Sequence, residues 1–413
     1  MSAHYILHNG RLDRPPRIFV VVDVYLPGFK SGGPLRTIEN MVDRMEGFEF
    51  FIFTRDRDFG DDAPYTEIRI EQWNDVGKAK VFYSAGMTMR SIRLQISAVK
   101  PDLIYLNSLF SFGTIKVLLM RRAGLLPAIP VVLAPRGECS PGALGLKRLK
   151  KRAYLVVAPR LLYRDLICQA TSEFEKADIE HALGHGPRIR IASDLPPRQI
   201  DLMPLQKPRK QSGAAKFVYL SRISEKKNLH YFLSLLRTLR GEVELDIWGP
   251  IEDASYWRRC QAEIMAMPSS VKVAFRGPVQ HERVPRIMES YHFFALPTLG
   301  ENFGHVVLEA WTGGCPVLIS DQTPWVNLEA KRAGWEMPLA EVSLWSAVLQ
   351  TCVEMDQLTY TTWSESCRRY LSEWMSSPTL DQDNYALFAE ALQAAPTRTP
   401  RTASAQSGGR SYD

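Results

Sequence analysis

The chain has 413 residues, of which 45% are hydrophobic and 23% are charged, and its formal net charge is +6. This length predicts two domains of roughly 150–200 residues each, because a single hydrophobic core seldom grows larger. The composition is normal for a folded soluble protein, and the mild positive charge permits an anionic ligand or membrane surface without requiring either.

The six cysteines form no CxxC pair and no cluster with histidine. We therefore expect buried thiols in a reducing compartment, neither a disulfide framework nor a zinc site. The N-terminal residues lack the apolar region of a signal peptide, and no apolar run approaches the roughly 18–20 residues needed to span a bilayer. These features predict a cytoplasmic protein, with the inner face of the membrane as a further option.

From Arg17 onwards, short apolar runs alternate with longer helical patterns. Continuous apolar runs fit strands that are buried on both faces, as in a parallel sheet. The first series of predicted strands covers residues 18–24, 50–53, 103–106, 131–134 and 167–170. A second series follows a polar stretch and covers residues 217–220, 245–248, 271–275, 293–296 and 317–319. Two such series predict two Rossmann-like domains with a cleft between them.

The predicted boundaries follow from these series. An N-terminal extension covers residues 1–16, the first domain 17–203, a linker 204–213 and the second domain 214–375. Residues 376–395 are predicted to form a helix that crosses back to the first domain, and the low-complexity tail 396–413 is expected to be disordered. No GxGxxG follows the first strand, and GxxxxGK[ST] is absent, which argues against a dinucleotide-binding half and a P-loop hydrolase.

The segment that begins at Glu301 is the most informative. It follows an apolar strand, continues through Asn302, Phe303 and Gly304 into a predicted helix, and carries a second carboxylate, Glu309, two turns further on. A helix N-terminus at the carboxyl end of a parallel sheet favours phosphate groups. The alternative is a capping Glu301 and an ordinary surface Glu309. The same spacing recurs elsewhere in the chain, so the spacing alone favours this alternative. The preceding strand and the glycine turn at residues 313–314 favour the functional interpretation.

Two other loops follow predicted strands. Residues 219–229 carry Arg222, Lys226 and Lys227, and fixed cations there could neutralise a diphosphate leaving group. The alternative is a solvated basic loop. Residues 27–36, the glycine loop, contain Gly32 and Gly33, which let the backbone approach a ligand closely. The alternative is a plain turn between strand and helix.

The order of a Gly-Gly-Pro loop, Ser-Arg-Ile-x-x-Lys-Lys-Asn and Glu-x7-Glu resembles the retaining glycosyltransferases of family GT4. Residues 131–148 and 315–328 resemble bacterial members that build surface polysaccharides, and the resemblance covers roughly residues 17–395. It implies an α/β protein of the GT-B fold, with two Rossmann-like domains whose parallel sheets face an interdomain cleft. The implied reaction moves a hexose-type sugar from a nucleoside-diphosphate sugar to an acceptor hydroxyl with retention of anomeric configuration.

The resemblance also implies roles for individual residues. Arg222 and Lys227 would bind the donor diphosphate, Lys226 being the less favoured lysine, while Glu301 would contact the sugar and Glu309 the ribose. The remaining donor-binding residues would be Gly32, Gly33, Asn302, Phe303, Gly304, His305, Val306, Arg276 and Gly277.

One departure from the family concerns a histidine that many members carry after a strand of the 131–134 type. This chain has Arg136 and Glu138 there, as candidates for stabilising the phosphate and for accepting a proton, respectively. The sequence leaves open which of them replaces the histidine, and a helix-terminal role for Glu138 is the alternative. Asp56 and Asp58 have Asp-x-Asp spacing, but with cations available for the diphosphate we expect neither a divalent metal nor a cofactor.

Residues 146–164 include a basic run on a predicted helix that breaks near Pro159. This segment could contact an anionic membrane, which would suit a lipid-linked acceptor saccharide, or it could be a solvated helix face. No aromatic residues alternate with the basic ones, so nucleic-acid binding is not expected. Two alternative functions stay open: an inverting GT-B transferase, and a catalytically silent protein that binds sugar nucleotides as a partner in an assembly.

Overall fold

The computed structural model describes residues 14–145, 148–184, 186–200, 202 and 204–394. These residues form two α/β units, each built around its own twisted sheet. Residues 1–13 of the predicted extension and the whole predicted tail lie outside the described residues.

The first sheet has eight strands: β1 (Arg17–Val21), β2 (Glu49–Arg55), β3 (Trp73–Val76), β4 (Ala79–Ser84), β5 (Leu103–Asn107), β6 (Val131–Ala134), β7 (Ile167–Ala170) and β8 (Arg188–Ile191). Their order is β3-β4-β2-β1-β5-β6-β7-β8, and all pairs are parallel except the edge pair β3 and β4. Every residue of β5, β6 and β7 is buried, which explains their continuous apolar runs. The predicted strands are present. Four strands escaped prediction: β3 and β8 are polar or alternating, β4 is interrupted by the exposed Lys80, and Gly334–Met337 is a four-residue strand at the edge of the other sheet.

Helices cover both faces of this sheet: α1 (Gly33–Arg44), α2 (Met89–Val99), α3 (Phe112–Arg122), α4 (Pro141–Gly145), α5 (Arg148–Leu161) and α6 (Glu173–Leu183). The backbone at Gly32 has a φ of 71°, and Pro34 lies in the first turn, so α1 begins earlier than the sequence suggested. The helix α5 includes Pro159 and ends two residues beyond it, at Leu161.

The second sheet consists of β9 (Ala214–Leu220), β10 (Glu242–Trp248), β11 (Val271–Gly277), β12 (Phe293–Leu296), β13 (Val317–Ser320) and β14 (Gly334–Met337). Its helices are α7 (Leu229–Leu236), α8 (Ala254–Met265), α9 (Val284–Glu289), α10 (His305–Thr312), α11 (Val342–Glu354) and α12 (Gln357–Met375). The order β11-β10-β9-β12-β13-β14 is entirely parallel. The chain adds strands towards one edge of the sheet from β9 to β11 and towards the other edge from β12 to β14. In such sheets, ligands bind outside the carboxyl ends of the strands at the point where this order changes, here between β9 and β12.

The last described helix, α13 (Thr379–Gln393), packs against β5, β6 and β8 of the first sheet. Phe388 lies edge-on to Tyr105, and Asp381 forms a bidentate pair with Arg44 of α1. The chain therefore returns to the first unit after completing the second.

The fold class predicted from the sequence is confirmed, with one antiparallel edge strand as the exception. All six cysteines are buried and free. Among the residues that the structure describes, no helix combines the length and apolar character needed to cross a bilayer.

Candidate active site

A cavity lies between the two units at the carboxyl ends of their sheets. The first unit lines it with residues 29–34 and 36 of the glycine loop, Arg136 and Asp194. The second unit contributes residues 220–222, 226–227, 250, 278–279, 281, 284, 301–306 and 309. The structure thus brings twelve of the fifteen predicted site residues to one cavity, because the loops after β1, β6, β9 and β12 all leave their sheets on this side.

Lys227 and Glu301 form an ion pair inside the cavity. Their side chains are only 11% and 16% exposed, so water screens the pair weakly. Burial acts to raise the pKa of Glu301, but the positive charges of Lys227 and Lys226 outweigh it and hold the pKa below the ordinary value. Glu301 is therefore ionised at neutral pH.

Arg222 follows β9 and reaches the same cavity from the side of β10. Its Nη1 lies 3.0 Å from Oε1 of Glu252, and both side chains are about one-third exposed. Lys226 also lines the cavity, and burial together with the neighbouring cation Lys227 lowers its pKa. Three cationic side chains therefore stand close to one another, which is unfavourable unless anions share the space.

The N-terminus of α10 points at this cluster. The helix begins at His305, so Glu301 lies in the loop before it and Glu309 lies in its second turn. Gly304 has a φ of 81°, and a Cβ there would lie 3.1 Å from Cγ of Glu301. Trp325 donates its indole N–H to the carbonyl of Phe303 at 2.6 Å and so fixes the loop. Val307 already donates its N–H to the carbonyl of Gly304 at 2.8 Å. The N–H groups that precede it come before the first i→i−4 bonds of the helix and can hold anionic oxygens.

Glu309 lies one turn further along α10. Its Oε1 is 3.1 Å from Nδ1 of His281, in the short 3₁₀ turn His281–Arg283, and its side chain is 15% exposed. A carboxylate in this position can accept hydrogen bonds from two adjacent hydroxyl groups.

The glycine loop is shaped by Asp58. This carboxylate accepts the backbone N–H groups of Phe29 at 2.8 Å, Lys30 at 3.1 Å and Phe59 at 2.7 Å. Asp58 is thus engaged in organising the loop. The buried hydroxyl oxygen of Ser31 has no hydrogen-bond partner among the described residues, although it borders the cavity.

Arg136 is held rigidly at the cavity wall with a φ of 57°. Its guanidinium donates to Asp194, to Tyr105 Oη at 2.6 Å and to Asn107 Oδ1 at 2.8 and 3.1 Å. Of the five N–H groups of an arginine, one is left for a ligand.

Three predicted residues do not line the cavity. Glu138 is buried and accepts from Ser108 Oγ and from the backbone N–H groups of Leu109 and Phe110, so it organises the loop before α3. Arg276 is half-exposed and pairs with Asp246 at 3.1 Å. Gly277 turns the chain with a φ of 80° beside the cavity residue Pro278.

Asn302 lines the cavity, yet its side chain faces the first unit. With its amide nitrogen turned towards Glu175, it donates to that carboxylate at 2.7 and 2.9 Å. Thr171 adds a bond to the carbonyl of Asn302 at 3.2 Å. This residue therefore joins the two units across the cleft.

Within the described part of the chain, no group of three or more His, Cys, Asp or Glu side chains is arranged to hold a metal ion. The predicted list also missed cavity residues. Asp194 and His281 carried no local sequence signal, whereas Ser31 and Arg36 stood inside the glycine loop already singled out.

Residues 205–330 match the model of a family described as glycosyl transferases group 1. No curated protein matches the chain in a sequence comparison. Several solved structures resemble it at low identity. Sucrose-phosphate synthase from Thermosynechococcus elongatus is 15% identical, with 92% of this chain and 100% of that chain covered and a TM-score of 0.66.

Two further solved structures are similar. HepE from Anabaena, in complex with UDP and glucose, is 17% identical, with 91% of this chain and 100% of that chain covered and a TM-score of 0.65. WaaG, a glycosyltransferase involved in lipopolysaccharide biosynthesis, is 14% identical, with 90% and 98% covered and a TM-score of 0.61. The chain therefore has the GT-B fold, and its residues 205–330 carry the sequence pattern of the glycosyl transferases group 1.

Proposed function

We propose that the protein is a retaining glycosyltransferase that moves a hexose-type sugar from a nucleoside-diphosphate sugar to an acceptor hydroxyl. One observation carries this proposal. Arg222, Lys227 and the N-terminus of α10 converge on one interdomain cavity, and Glu301 and Glu309 stand beside them. Cations and helix N–H groups suit a diphosphate, and carboxylates suit sugar and ribose hydroxyls.

The chemistry follows from charge. As the bond between the anomeric carbon and the diphosphate oxygen breaks, negative charge grows on the leaving group. Arg222, Lys227 and the first N–H groups of α10 are already in place to stabilise it as it forms. Because these cations can neutralise the diphosphate, the reaction proposed here needs no divalent metal.

Retention of anomeric configuration is favoured by the partners that the cavity carboxylates have. Each of the three carboxylates that line the cavity has a partner: Glu301 pairs with Lys227, Asp194 with Arg136, and Glu309 with His281. A carboxylate that is held by a partner is a weaker base than a free one, so none of the three is an obvious nucleophile or general base. We therefore favour attack from the face of the leaving group, whose phosphate accepts the proton of the acceptor. This arrangement also argues against the inverting alternative, for which Glu138 is poorly placed.

The acceptor is proposed to be a saccharide of a surface polysaccharide, carried on a lipid. Residues 146–164 contain seven Lys or Arg residues and no Asp or Glu, which suits an anionic membrane at the inner face. Lys147 and several side chains of α5 lie outside the described residues. The ammonium of Lys151 lies 5.0 Å from the centre of the Phe110 ring, which places α5 next to the start of α3.

Thermal-shift measurements with UDP, GDP, ADP and a panel of their sugars, with and without EDTA, test the donor site. A ligand at about 100 times its Kd stabilises the folded protein by about 2.7 kcal/mol. We expect a base-selective, EDTA-insensitive shift that is lost in Arg222→Ala. Arg237→Ala is the matched control, because Arg237 pairs with Glu263 at 3.2 Å outside the cavity.

Transfer of labelled sugar to lipid-linked acceptors, with the anomeric configuration of the product read by NMR, tests the reaction. Binding without transfer to any acceptor would favour the silent partner protein, and an inverted product would favour the inverting transferase. A shift abolished by EDTA would contradict metal independence, and no shift with any nucleotide would refute the donor site.

A further inference from the structure

Asp194 belongs to no motif in the sequence, but it occupies a central position in the cleft. It lies in the segment after β8, and its side chain is 5% exposed. One carboxylate oxygen accepts from Nη1 of Arg136, and the other accepts from the hydroxyl of Thr37 at 2.9 Å. Both oxygens of a buried anion are thus used within the first unit.

Thr37 extends this network to the second unit. Its oxygen lies 2.9 Å from Nε2 of His305, the first residue of α10. A threonine hydroxyl has a single proton, and Thr37 donates it to Asp194, so the Thr37 oxygen must accept from His305. The Nε2 atom of His305 therefore carries a proton. Burial lowers the pKa of this histidine, so the ring is neutral at physiological pH and its other nitrogen is an acceptor.

A second contact supports the same junction. A Cβ on Gly33 would lie 3.9 Å from Cδ2 of His305, so the start of α1 and the imidazole are in close approach. Residues of the first unit therefore touch the second unit at the helix terminus where the proposed diphosphate binds. The contact joins residues that are 268 positions apart in the sequence.

We propose that Asp194 is a positioning residue that acts in both directions: it fixes the Arg136 guanidinium at the cavity wall and, through Thr37, holds His305 and the N-terminus of α10 against the first unit. This inference rests on the proposed function, and it adds a specific link between donor binding and closure of the cleft. A closed cleft excludes water, so the link limits loss of the donor sugar by hydrolysis.

Thr37→Val tests the link without disturbing a charge, since valine keeps the shape but removes the hydroxyl. A hydrogen bond of this kind contributes about 0.5–1.5 kcal/mol, so its loss changes an equilibrium by about two- to tenfold. We expect the ratio of donor hydrolysis to transfer to rise by that factor. Thr37→Ser restores the hydroxyl and should restore the ratio. Thr54→Val is the matched control, because the buried Thr54 hydroxyl has no partner among the described residues.

Hydrogen exchange gives a readout that does not depend on catalysis. Amides at the start of α10 should exchange about two- to tenfold faster in Thr37→Val than in wild type, Thr37→Ser or Thr54→Val. Asp194→Asn should lower transfer more than Thr37→Val does, because it also removes the carboxylate that pairs with the buried Arg136. The melting temperature of this variant shows whether it is folded.

Two results would overturn the inference. One is that Thr37→Val has the same amide exchange rates in α10, and the same ratio of donor hydrolysis to transfer, as the wild type. The other is that Thr37→Ser fails to restore the exchange rates and the ratio, which would attribute the change in Thr37→Val to packing and not to the hydroxyl. If the wild type acts on no sugar nucleotide, the proposed function is refuted. Hydrogen exchange needs no substrate, so the comparison of Thr37→Val with the wild type still tests whether Thr37 holds α10 against the first unit.

Discussion

The ion pair between Lys227 and Glu301 gives the sharpest test of the electrostatic argument. Lys227→Met removes the cation and keeps most of the side-chain volume, so Glu301 is left largely buried without its principal partner. We expect two effects at neutral pH: a less stable second unit and a much weaker affinity for nucleoside diphosphates.

The magnitude follows from burial. Breaking a fully buried ion pair by removing one partner costs about 3–5 kcal/mol. Both side chains retain some exposure, so we expect about 2–3 kcal/mol, which is about 4–12 °C in melting temperature for a unit of this size. Adding Glu301→Gln should recover most of the loss, since the double variant leaves no unpaired charge. The control is Lys216→Met, which breaks the exposed pair with Glu244 and should cost below about 1 kcal/mol.

The pH dependence has a definite sign. The pKa of Glu301 in the folded protein is lowered, so its contribution to stability is present at neutral pH and is lost as the pH falls through this lowered pKa. In Lys227→Met the largest charge that opposes burial is removed, so the pKa of Glu301 should be higher than in the wild type, with Lys226 and Arg222 left to oppose burial. The difference in stability between wild type and variant should therefore be largest near neutral pH and shrink towards acid pH. Calorimetry without ligand measures it, and equal stability of the two proteins at neutral pH would refute the reasoning.

Two other predictions concern the loops. Gly304→Ala should destabilise the protein and weaken UDP binding by more than Gly60→Ala does; both glycines have φ near 80°, but a Cβ at Gly60 meets open space whereas one at Gly304 meets Glu301. The left-handed backbone costs about 1–2 kcal/mol in both variants. The additional effect of the contact between Cβ and Glu301 is the difference between the two variants in UDP affinity, measured by isothermal calorimetry. Equal affinities of the two variants would contradict a role for this contact. Asp58→Asn should loosen the glycine loop and weaken sugar-nucleotide binding by about tenfold, with or without EDTA, since a carboxylate that accepts three backbone N–H groups is lost. Asp61→Asn, which removes only the surface pair with Lys30, is the control for that measurement, and sensitivity of wild-type binding to EDTA would instead indicate a metal.

The sequence predicted ten of the fourteen strands that the structure describes, because a parallel strand buried on both faces is usually a continuous apolar run. It also predicted the loops that line the cavity. In a parallel sheet the loops after successive strands leave on the same side, so Arg222, Lys227 and Glu301 could be placed together without coordinates. Edge strands such as β3 and β8 escaped, since a strand exposed on one side has a weak pattern.

Only the tertiary structure decided how these side chains are engaged. Asp194 meets Thr37 across 157 positions, and Thr37 meets His305 across 268, and no local spacing encodes either contact. Glu138 was a plausible proton acceptor by its position after β6, but the fold buries it against the loop before α3. Asn302 was expected at the donor and instead bonds to the first unit. The physical reason is the same in each case: local sequence patterns report which face of an element is buried, whereas partners across a cleft depend on how two sheets dock.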